Sequence, residues 1–229
     1  MAWAFDFHTH ILPGIDDGSA SVNESIAMFR ELGAQGAVGI AATPHFYAQR
    51  TSPEVFFARR QQAWARLAPY LAAYPRIRLG AEVHYFEGIQ RCVGLEQFRL
   101  SGTRLLLLEM PTCAWTERMV DAVLELNRRR YLTVLLAHIE RYLTWQNRKW
   151  WKPLLEGGVL MQASTEFFIR KPGKAVKMLK DGKIHLLGTD SHNMDARSPN
   201  LAPALEMIER KGGAELLRKL NEREASLLL

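Results

Sequence analysis

The sequence predicts an α/β protein whose parallel sheet closes, or nearly closes, into a barrel. Seven short apolar segments rich in Val, Ile and Leu recur along the 229 residues, and helix-like segments separate them. Strands of a parallel sheet are continuous apolar runs because helices cover both faces. The alternation of strand and helix indicates right-handed crossovers, and seven units without a clear break favour a barrel over an open doubly wound sheet.

The predicted strands are all short and continuous. In chain order they cover residues 4–8, 37–43, 76–83, 104–110, 132–138, 158–164 and 183–190. Helical spacing of apolar residues predicts helical segments at 21–36, 52–74, 116–130, 172–182, 199–212 and 213–229. Ser21 is the predicted N-cap of the first helix because Glu24 follows it at capping-box spacing, and the second helix is expected to break near Pro69.

Composition places the chain among cytoplasmic globular proteins, with residues 1–229 expected to form a single domain. Its two cysteines do not suggest a disulfide framework, the N-terminus lacks the pattern of a secretory signal, and no apolar run is long enough for membrane insertion. The net charge of +6 favours anionic partners, but the basic residues are dispersed and form no recognised nucleic-acid module. Nucleotide-binding glycine motifs do not follow any predicted strand.

Histidines and carboxylates follow six of the seven predicted strands. In strand order they are His8 and His10, His45, Glu82, Glu109, His138, and finally Asp190 with His192. In a parallel barrel the carboxyl ends of the strands share one face, and active sites lie there. Residues two apart on a strand point to the same side, so His8 and His10 can bind one ion together.

Taken singly, these residues also have structural interpretations. The stretch 16–18, Asp-Asp-Gly, has the composition of a turn, and a lone histidine such as His138 is commonly a core residue. Glu109 is harder to explain in this way, because a carboxylate after four leucines is costly to bury unless it is paired or binds a metal. Five of the seven histidines lie at strand ends beside carboxylates, which favours function. His84 is a weaker candidate, and His185 is interpreted as structural.

Mixed imidazole and carboxylate ligands suit Mn, Fe or Zn better than Ca or Mg. With Asp17 included, the set is too large for one ion and suits two or three, and Glu82 is the favoured bridging carboxylate. Such ions lower the pKa of bound water and stabilise an oxyanion. The residues therefore predict metal-assisted hydrolysis.

Six ordered segments carry a resemblance to a known family. "DFHTHILPGIDDGS", "TPHF", "GAEVHY", "LLLLEMP", "LLAHIERY" and "GTDSHN" resemble motifs of the polymerase and histidinol phosphatase (PHP) superfamily. Within it, the chain from about Phe5 to Arg197 is similar to bacterial manganese-dependent protein-tyrosine phosphatases of capsule and exopolysaccharide systems. The resemblance implies a distorted (β/α)7 TIM-like barrel, the PHP fold, with a trinuclear centre of Mn²⁺, for which Fe or Zn are alternatives.

The resemblance also implies roles for individual residues. The first ion would be held by His8, His10, Glu82 and Asp190, the second by Glu82, Glu109 and His138, and the third by Asp17, His45 and His192. Arg141 and Arg197 match phosphate-binding positions, for which a planar guanidinium is well suited. The implied partner is the autophosphorylated tail of a bacterial tyrosine kinase. Residues 50–76 and the C-terminal "NEREASLLL" match no motif.

Competing functions remain at this stage. The same metals would serve histidinol phosphate, another small phosphomonoester or a phosphodiester, and a non-enzymatic sensor of phosphorylated tails is a third class. Cysteine-based phosphatase chemistry needs Cys-x5-Arg. Cys92 precedes Arg99 by seven positions and Cys113 precedes Arg118 by five, so neither fits, and both are interpreted as packing residues.

Overall fold

The computed structural model describes residues 4–144 and 148–228, in which a curled parallel sheet is surrounded by helices. The strands within these ranges are β1 (Ala4–Thr9), β2 (Ala37–Ala42), β3 (His45–Phe46), β4 (Arg76–Leu79), β5 (Glu82–His84), β6 (Leu105–Glu109), β7 (Thr133–Leu136), β8 (Leu160–Ser164) and β9 (Leu186–Gly188). All paired strands run parallel, in the orders β1-β2-β4 and β3-β5-β6-β7-β8-β9.

The chain after β9 returns to β1. The Asp190 N–H donates to the His8 carbonyl at 2.8 Å, and the His10 N–H donates to the Ser191 carbonyl at 2.9 Å. The first and last strands therefore lie side by side, which brings their carboxyl ends to one edge of the curl. The predicted α/β class with a parallel sheet is confirmed, while the seven-unit barrel stays a prediction.

One predicted strand is divided, and another is followed by a short additional strand. Pro44 has no N–H to continue the ladder after β2, and the chain resumes as β3. The predicted strand at 76–83 likewise divides at Gly80 into β4 and β5. Hydrogen bonds continue the strand pairing across both breaks: the Gly80 N–H donates to Ala42 O, and the Glu82 N–H donates to Pro44 O. Apolar patterning did not reveal the break at Gly80, because the apolar residues Leu79 and Ala81 lie on both sides of it.

The helices of the described chain are α1 (Val22–Ala34), α2 (Pro53–Leu67), α3 (Glu117–Asn127), α4 (Arg148–Glu156), α5 (Thr165–Arg170), α6 (Pro172–Lys180), α7 (Leu201–Gly212) and α8 (Ala214–Leu228). The six predicted helices are confirmed, except that Leu229 lies outside the described residues. A 3₁₀ turn follows α2 at Ala68–Tyr70, where the break was expected. The short α4 and α5 were missed, and Pro153 inside α4 explains the first of these omissions. None of the described helices has the length and apolarity needed to cross a bilayer.

The C-terminal helix α8 covers the interior of the curled sheet near the start of β1. Leu227 and Leu228 pack against an inner apolar cluster that includes Phe5 and Phe7. Glu224 is buried there, and one carboxyl oxygen accepts a hydrogen bond from the Phe5 N–H at 3.0 Å. The tail that matches no motif thus contributes Glu224, Leu227 and Leu228 to this packing.

Glu224 makes stability depend on pH. Burial raises its pKa from 4.5 to about 8, so between these values the folded state holds a proton that the unfolded state has released. Stability should therefore fall as pH rises from 5 to 8, by an amount on the order of a few kcal/mol. Glu224→Gln should be more stable than the wild type at pH 8, with a flatter pH dependence in urea unfolding. Glu222→Gln, on the exposed side of the same helix, is the control; equal pH slopes for Glu224→Gln and wild type would contradict the assignment.

Candidate metal centre

The carboxyl end of β1, the first residue of β5 and the segment after β9 bring four predicted ligands into one buried group. His8 Nε2 lies 3.1 Å from His10 Nε2, 3.2 Å from Glu82 Oε2 and 3.5 Å from Asp190 Oδ1. His10 Nε2 lies 3.3 Å from the same Glu82 oxygen and 3.5 Å from the same Asp190 oxygen. These side chains turn their ligand atoms toward each other, as a shared cation requires.

A second group lies on the other side of Glu82. His138 Nε2 is 2.9 Å from Glu82 Oε1 and 3.5 Å from Glu109 Oε1. Glu82 therefore presents Oε2 to the first group and Oε1 to the second. This is the arrangement that a carboxylate bridging two ions needs.

The remaining predicted ligands, His45 and His192, lie beside Asp17, which faces solvent. Asp17 Oδ1 is 3.5 Å from His45 Nε2 and 3.7 Å from His192 Nε2, and the Asp17 side chain is 64% exposed. His10 also comes within reach of this third group. His45 faces inward as well, with Nδ1 2.9 Å from Glu82 Oε2. The three groups are thus one continuous cluster rather than separate sites.

Four histidines share one orientation in this cluster. Each turns Nε2 inward, and its Nδ1 meets an oxygen behind it: Gln162 Oε1 for His8 at 3.4 Å, Asp16 Oδ2 for His10 at 2.7 Å, the Tyr142 hydroxyl for His138 at 3.4 Å and the Asp190 carbonyl for His192 at 2.9 Å. A proton held on Nδ1 leaves the Nε2 lone pair free, as a metal-binding histidine requires.

Three buried side-chain atoms of the cluster lack hydrogen bonds. His45 Nδ1, Glu82 Oε2 and His192 Nε2 have no hydrogen-bond partner among the described residues. The 2.9 Å contact between the first two is close enough for an ion pair but does not have hydrogen-bond geometry. Leaving buried polar atoms unsatisfied costs about 1–3 kcal/mol each. The residues present therefore fit a centre that binds divalent cations.

The pKa values in the cluster indicate that its carboxylates are ionised and attract positive charge. Burial opposes ionisation, yet neighbouring histidines hold the pKa of Glu82 and Asp190 well below the ordinary carboxyl range and lower that of Glu109 to about 2. Burial also opposes charge on His138, but its hydrogen bonds to carboxylates raise the pKa to about 9. The ionised carboxylates thus hold protons on nearby imidazoles, and metal binding would release them.

The Asp16–Gly18 stretch is both a turn and a part of the cluster. Asp16 accepts hydrogen bonds from His10 Nδ1, from the His45 N–H at 2.9 Å and from the Gly18 N–H at 3.0 Å. A Cβ at Gly18 would lie 2.3 Å from the His10 carbonyl oxygen, so only glycine permits this approach. Asp16 therefore orients His10, while Asp17 faces the third group of ligands.

Sequence reasoning gave too little weight to residues behind the ligands. Gln162, fully buried on β8, accepts from the His138 N–H at 2.7 Å as well as meeting His8. His84 Nδ1 lies 3.0 Å from Glu109 Oε2, so it orients a predicted ligand. A buried amide in an apolar strand was the available signal for Gln162. His185, which the sequence analysis interprets as structural, accepts a hydrogen bond from the Met161 N–H at its Nδ1.

Backbone strain coincides with two of the predicted ligands. His138, with φ 31°, and Asp190, with φ 53°, are the only non-glycine residues of the described chain with positive φ. This conformation costs roughly 1–3 kcal/mol for such residues and occurs preferentially at functional sites. Each lies two residues after a strand, β7 or β9, where the strained backbone turns its side chain into the cluster.

Both predicted phosphate-binding arginines reach the edge of the cluster. Arg141 and Arg197 donate from Nη2 to the same oxygen of Asp190, Oδ2, the latter at 2.7 Å. The other Asp190 oxygen faces His8 and His10. Asp190 thus joins the metal-binding cluster to a pair of guanidinium groups, each of which remains about 40% exposed.

Helix α2 holds the loop that carries Asp16 and Asp17. Arg59 Nη2 donates to the Ile15 carbonyl at 2.7 Å, and Arg66 Nη2 donates to the Pro13 carbonyl at 2.5 Å. These contacts give a role to part of the segment 50–76, which matches no motif.

Removing these contacts should loosen the loop. Arg59→Ala is expected to lower the free energy of unfolding by about 1 kcal/mol. It should also speed amide hydrogen exchange in residues 11–20, measured by mass spectrometry, because an anchor of the loop is lost. Arg210→Ala, on the exposed face of α7, is the control. Unchanged exchange in residues 11–20 would show that the contact does not restrain the loop.

Fold and cluster together define a class of protein, an α/β protein with groups of His, Asp and Glu that could hold metal ions at the carboxyl edge of a curled parallel sheet. The chain belongs to the family Capsular polysaccharide synthesis, CpsB/CapC, whose model matches residues 4–229.

Individual relatives agree with this membership. The chain is 28% identical over 229 residues to the tyrosine-protein phosphatase CpsB of Streptococcus pneumoniae, covering 94% of this chain and 93% of the relative. It is 28% identical over 236 residues to the tyrosine-protein phosphatase YwqE of Bacillus subtilis, covering 98% and 91%. A crystal structure from work on YwqE and CpsB, described as unique metal-dependent tyrosine phosphatases, matches with a TM-score of 0.81, 25% identity, and coverage of 98% and 94%.

Proposed function

We propose that this protein is a metal-dependent phosphatase that hydrolyses phosphotyrosine in proteins. One observation carries the proposal: nine ligand-type side chains and two arginines meet at the carboxyl edge of one sheet, joined through Asp190. A phosphate placed there would meet both guanidinium groups and the cation-binding cluster. The relatives named as tyrosine phosphatases support the choice of substrate.

The proposed ligands are His8, His10, Asp17, His45, Glu82, Glu109, His138, Asp190 and His192. Divalent ions held by them would supply an activated water at neutral pH and would neutralise phosphate charge. Asp16 and Gln162 keep His10 and His8 oriented. Arg141 and Arg197 position the phosphate and stabilise the negative charge that develops on it during attack. The tyrosine leaves as a phenol with a pKa near 10, so its departure needs less acid catalysis than that of an alkoxide.

The metal is proposed to be Mn²⁺, with two or three ions bound. Imidazole and carboxylate ligands without thiolates support Mn, Fe or Zn in general, and the resemblance favours manganese. Within the same proposal the fold is a distorted (β/α)7 barrel of the PHP type, and residues 1–229 form one domain. The contact of β1 with the segment after β9 supports the closed sheet.

The proposed partner is the phosphorylated tail of a tyrosine kinase that controls capsule synthesis in the cytoplasm. The family's description, capsular polysaccharide synthesis, supports this setting. The cysteines also agree with a reducing compartment, because Cys92 and Cys113 form no disulfide.

The test compares substrates on protein of measured metal content. Manganese-loaded protein should hydrolyse phosphotyrosine peptides faster than histidinol phosphate or a phosphate bis-ester, and chelation should abolish turnover. The variant Cys92→Ser/Cys113→Ser should keep full activity, because no step uses a thiol. Absence of turnover on phosphotyrosine peptides, or preference for another of the substrates, would refute the proposal.

A further inference from the structure

A groove of about 600 Å³ opens beside the two arginines. Its wall combines residues 140–144 after β7, residues 164–174 of α5 and early α6, and residues 196–200 before α7. The groove therefore continues from the proposed phosphate position onto the surface formed by α5 and α6. When the phosphotyrosine of a polypeptide enters the centre, the residues on either side of it must lie on or near this surface.

Most charged groups that line the groove already have a polar partner. Arg141 and Arg197 share Asp190, and Arg170 forms an ion pair with Glu166. Glu140 accepts hydrogen bonds from the Ser164 N–H and from the Ser164 hydroxyl. The attraction of the groove wall for anions therefore depends on the cations that have no such partner.

Those cations are Lys171 and Lys174. Both are exposed, and no described carboxylate lies within ion-pair distance of either. Other lysines of the same region are engaged: Lys177 pairs with Asp181, and Lys180 donates to the Lys211 carbonyl. The groove thus presents two positive charges that have no carboxylate partner among the described residues.

We propose that the groove binds an acidic side chain of the substrate beside the phosphotyrosine, and that Lys171 and Lys174 determine this preference. The proposal rests on the proposed phosphatase function and adds a specificity site to it. A carboxylate attracts a lysine ammonium without strict geometry, so the preference would be for charge rather than for one sequence. Because the lysines are exposed, salt should weaken the effect.

The experiment uses two phosphotyrosine peptides that are identical except for glutamates or glutamines on both sides of the phosphotyrosine. Manganese-loaded wild type should favour the glutamate peptide by about three- to tenfold in kcat/KM at low salt, mostly through KM. Lys171→Gln/Lys174→Gln should remove this preference, and Lys171→Glu/Lys174→Glu should reverse it. Lys177→Gln/Lys180→Gln, with the same charge change on the same helix, should behave as the wild type.

Hydrolysis of p-nitrophenyl phosphate separates the inference from the proposed function, because this substrate has no flanking residues. All variants should hydrolyse it at the wild-type rate. Equal kcat/KM for both peptides in an active wild type, or an unchanged preference in Lys171→Glu/Lys174→Glu, would overturn the inference and leave the phosphatase function intact. Failure of the wild type on every phosphotyrosine substrate would overturn both.

Discussion

Glu82→Gln is expected to reduce kcat for phosphotyrosine hydrolysis by at least about a thousandfold, because it removes a charge that two groups of ligands share. Glu82 Oε2 lies within 3.3 Å of His8 and His10, and Oε1 lies 2.9 Å from His138. Glutamine keeps the shape but replaces one oxygen by an amide nitrogen, which cannot bind a cation. Ions on both sides of residue 82 should therefore be lost or bound weakly.

Metal content and turnover should be measured on the same samples of Glu82→Gln. Content is expected to fall by more than one ion per chain, since the substitution affects both sides of the bridge. Glu206→Gln on the exposed face of α7 controls for the general effect of the chemical change. Circular dichroism checks that the variant is folded. Full metal occupancy with more than a tenth of the wild-type activity would refute the bridging role.

The ligand positions could be predicted from sequence because one rule fixes them. The carboxyl ends of parallel strands meet at one edge, so His8, Glu109 and His138 converge whatever the details of packing. The rule depends on strand order and direction, which alternating apolar and helical segments reveal. It does not depend on the breaks at Pro44 and Gly80, which left the convergence intact while changing the strand count.

The supporting contacts could not be predicted because they depend on tertiary structure. Arg59 contacts a carbonyl 44 positions away, and an exposed helical arginine gives no sign of such a partner. Gln162 meets His8 across 154 positions. The groove has a similar origin, since its walls come from segments that only the folded chain brings together. Sequence patterns therefore locate the proposed chemistry, while packing determines how firmly it is held and what surrounds it.

Arg141→Lys should lower kcat/KM about a hundredfold while leaving metal content unchanged. A lysine keeps the positive charge but loses the planar pair of donors that matches phosphate oxygens. Activity and metal content should respond differently because the two oxygens of Asp190 face different groups. Its Oδ1 faces His8 and His10, whereas its Oδ2 meets the arginines. Replacing a guanidinium therefore leaves the metal-facing oxygen in place. Arg128→Lys at the exposed end of α3 is the matched control.

Convergence of both arginines on one oxygen also predicts how their losses combine. Groups that stabilise the same developing charge give effects that do not add as free energies. The double variant Arg141→Lys/Arg197→Lys should therefore lose less activity than the product of the two single losses. Multiplicative losses would indicate two independent roles, and metal loss in either single variant would move that arginine's role from phosphate binding to support of Asp190. Steady-state kinetics at several peptide concentrations, with metal content measured in parallel, distinguishes these outcomes.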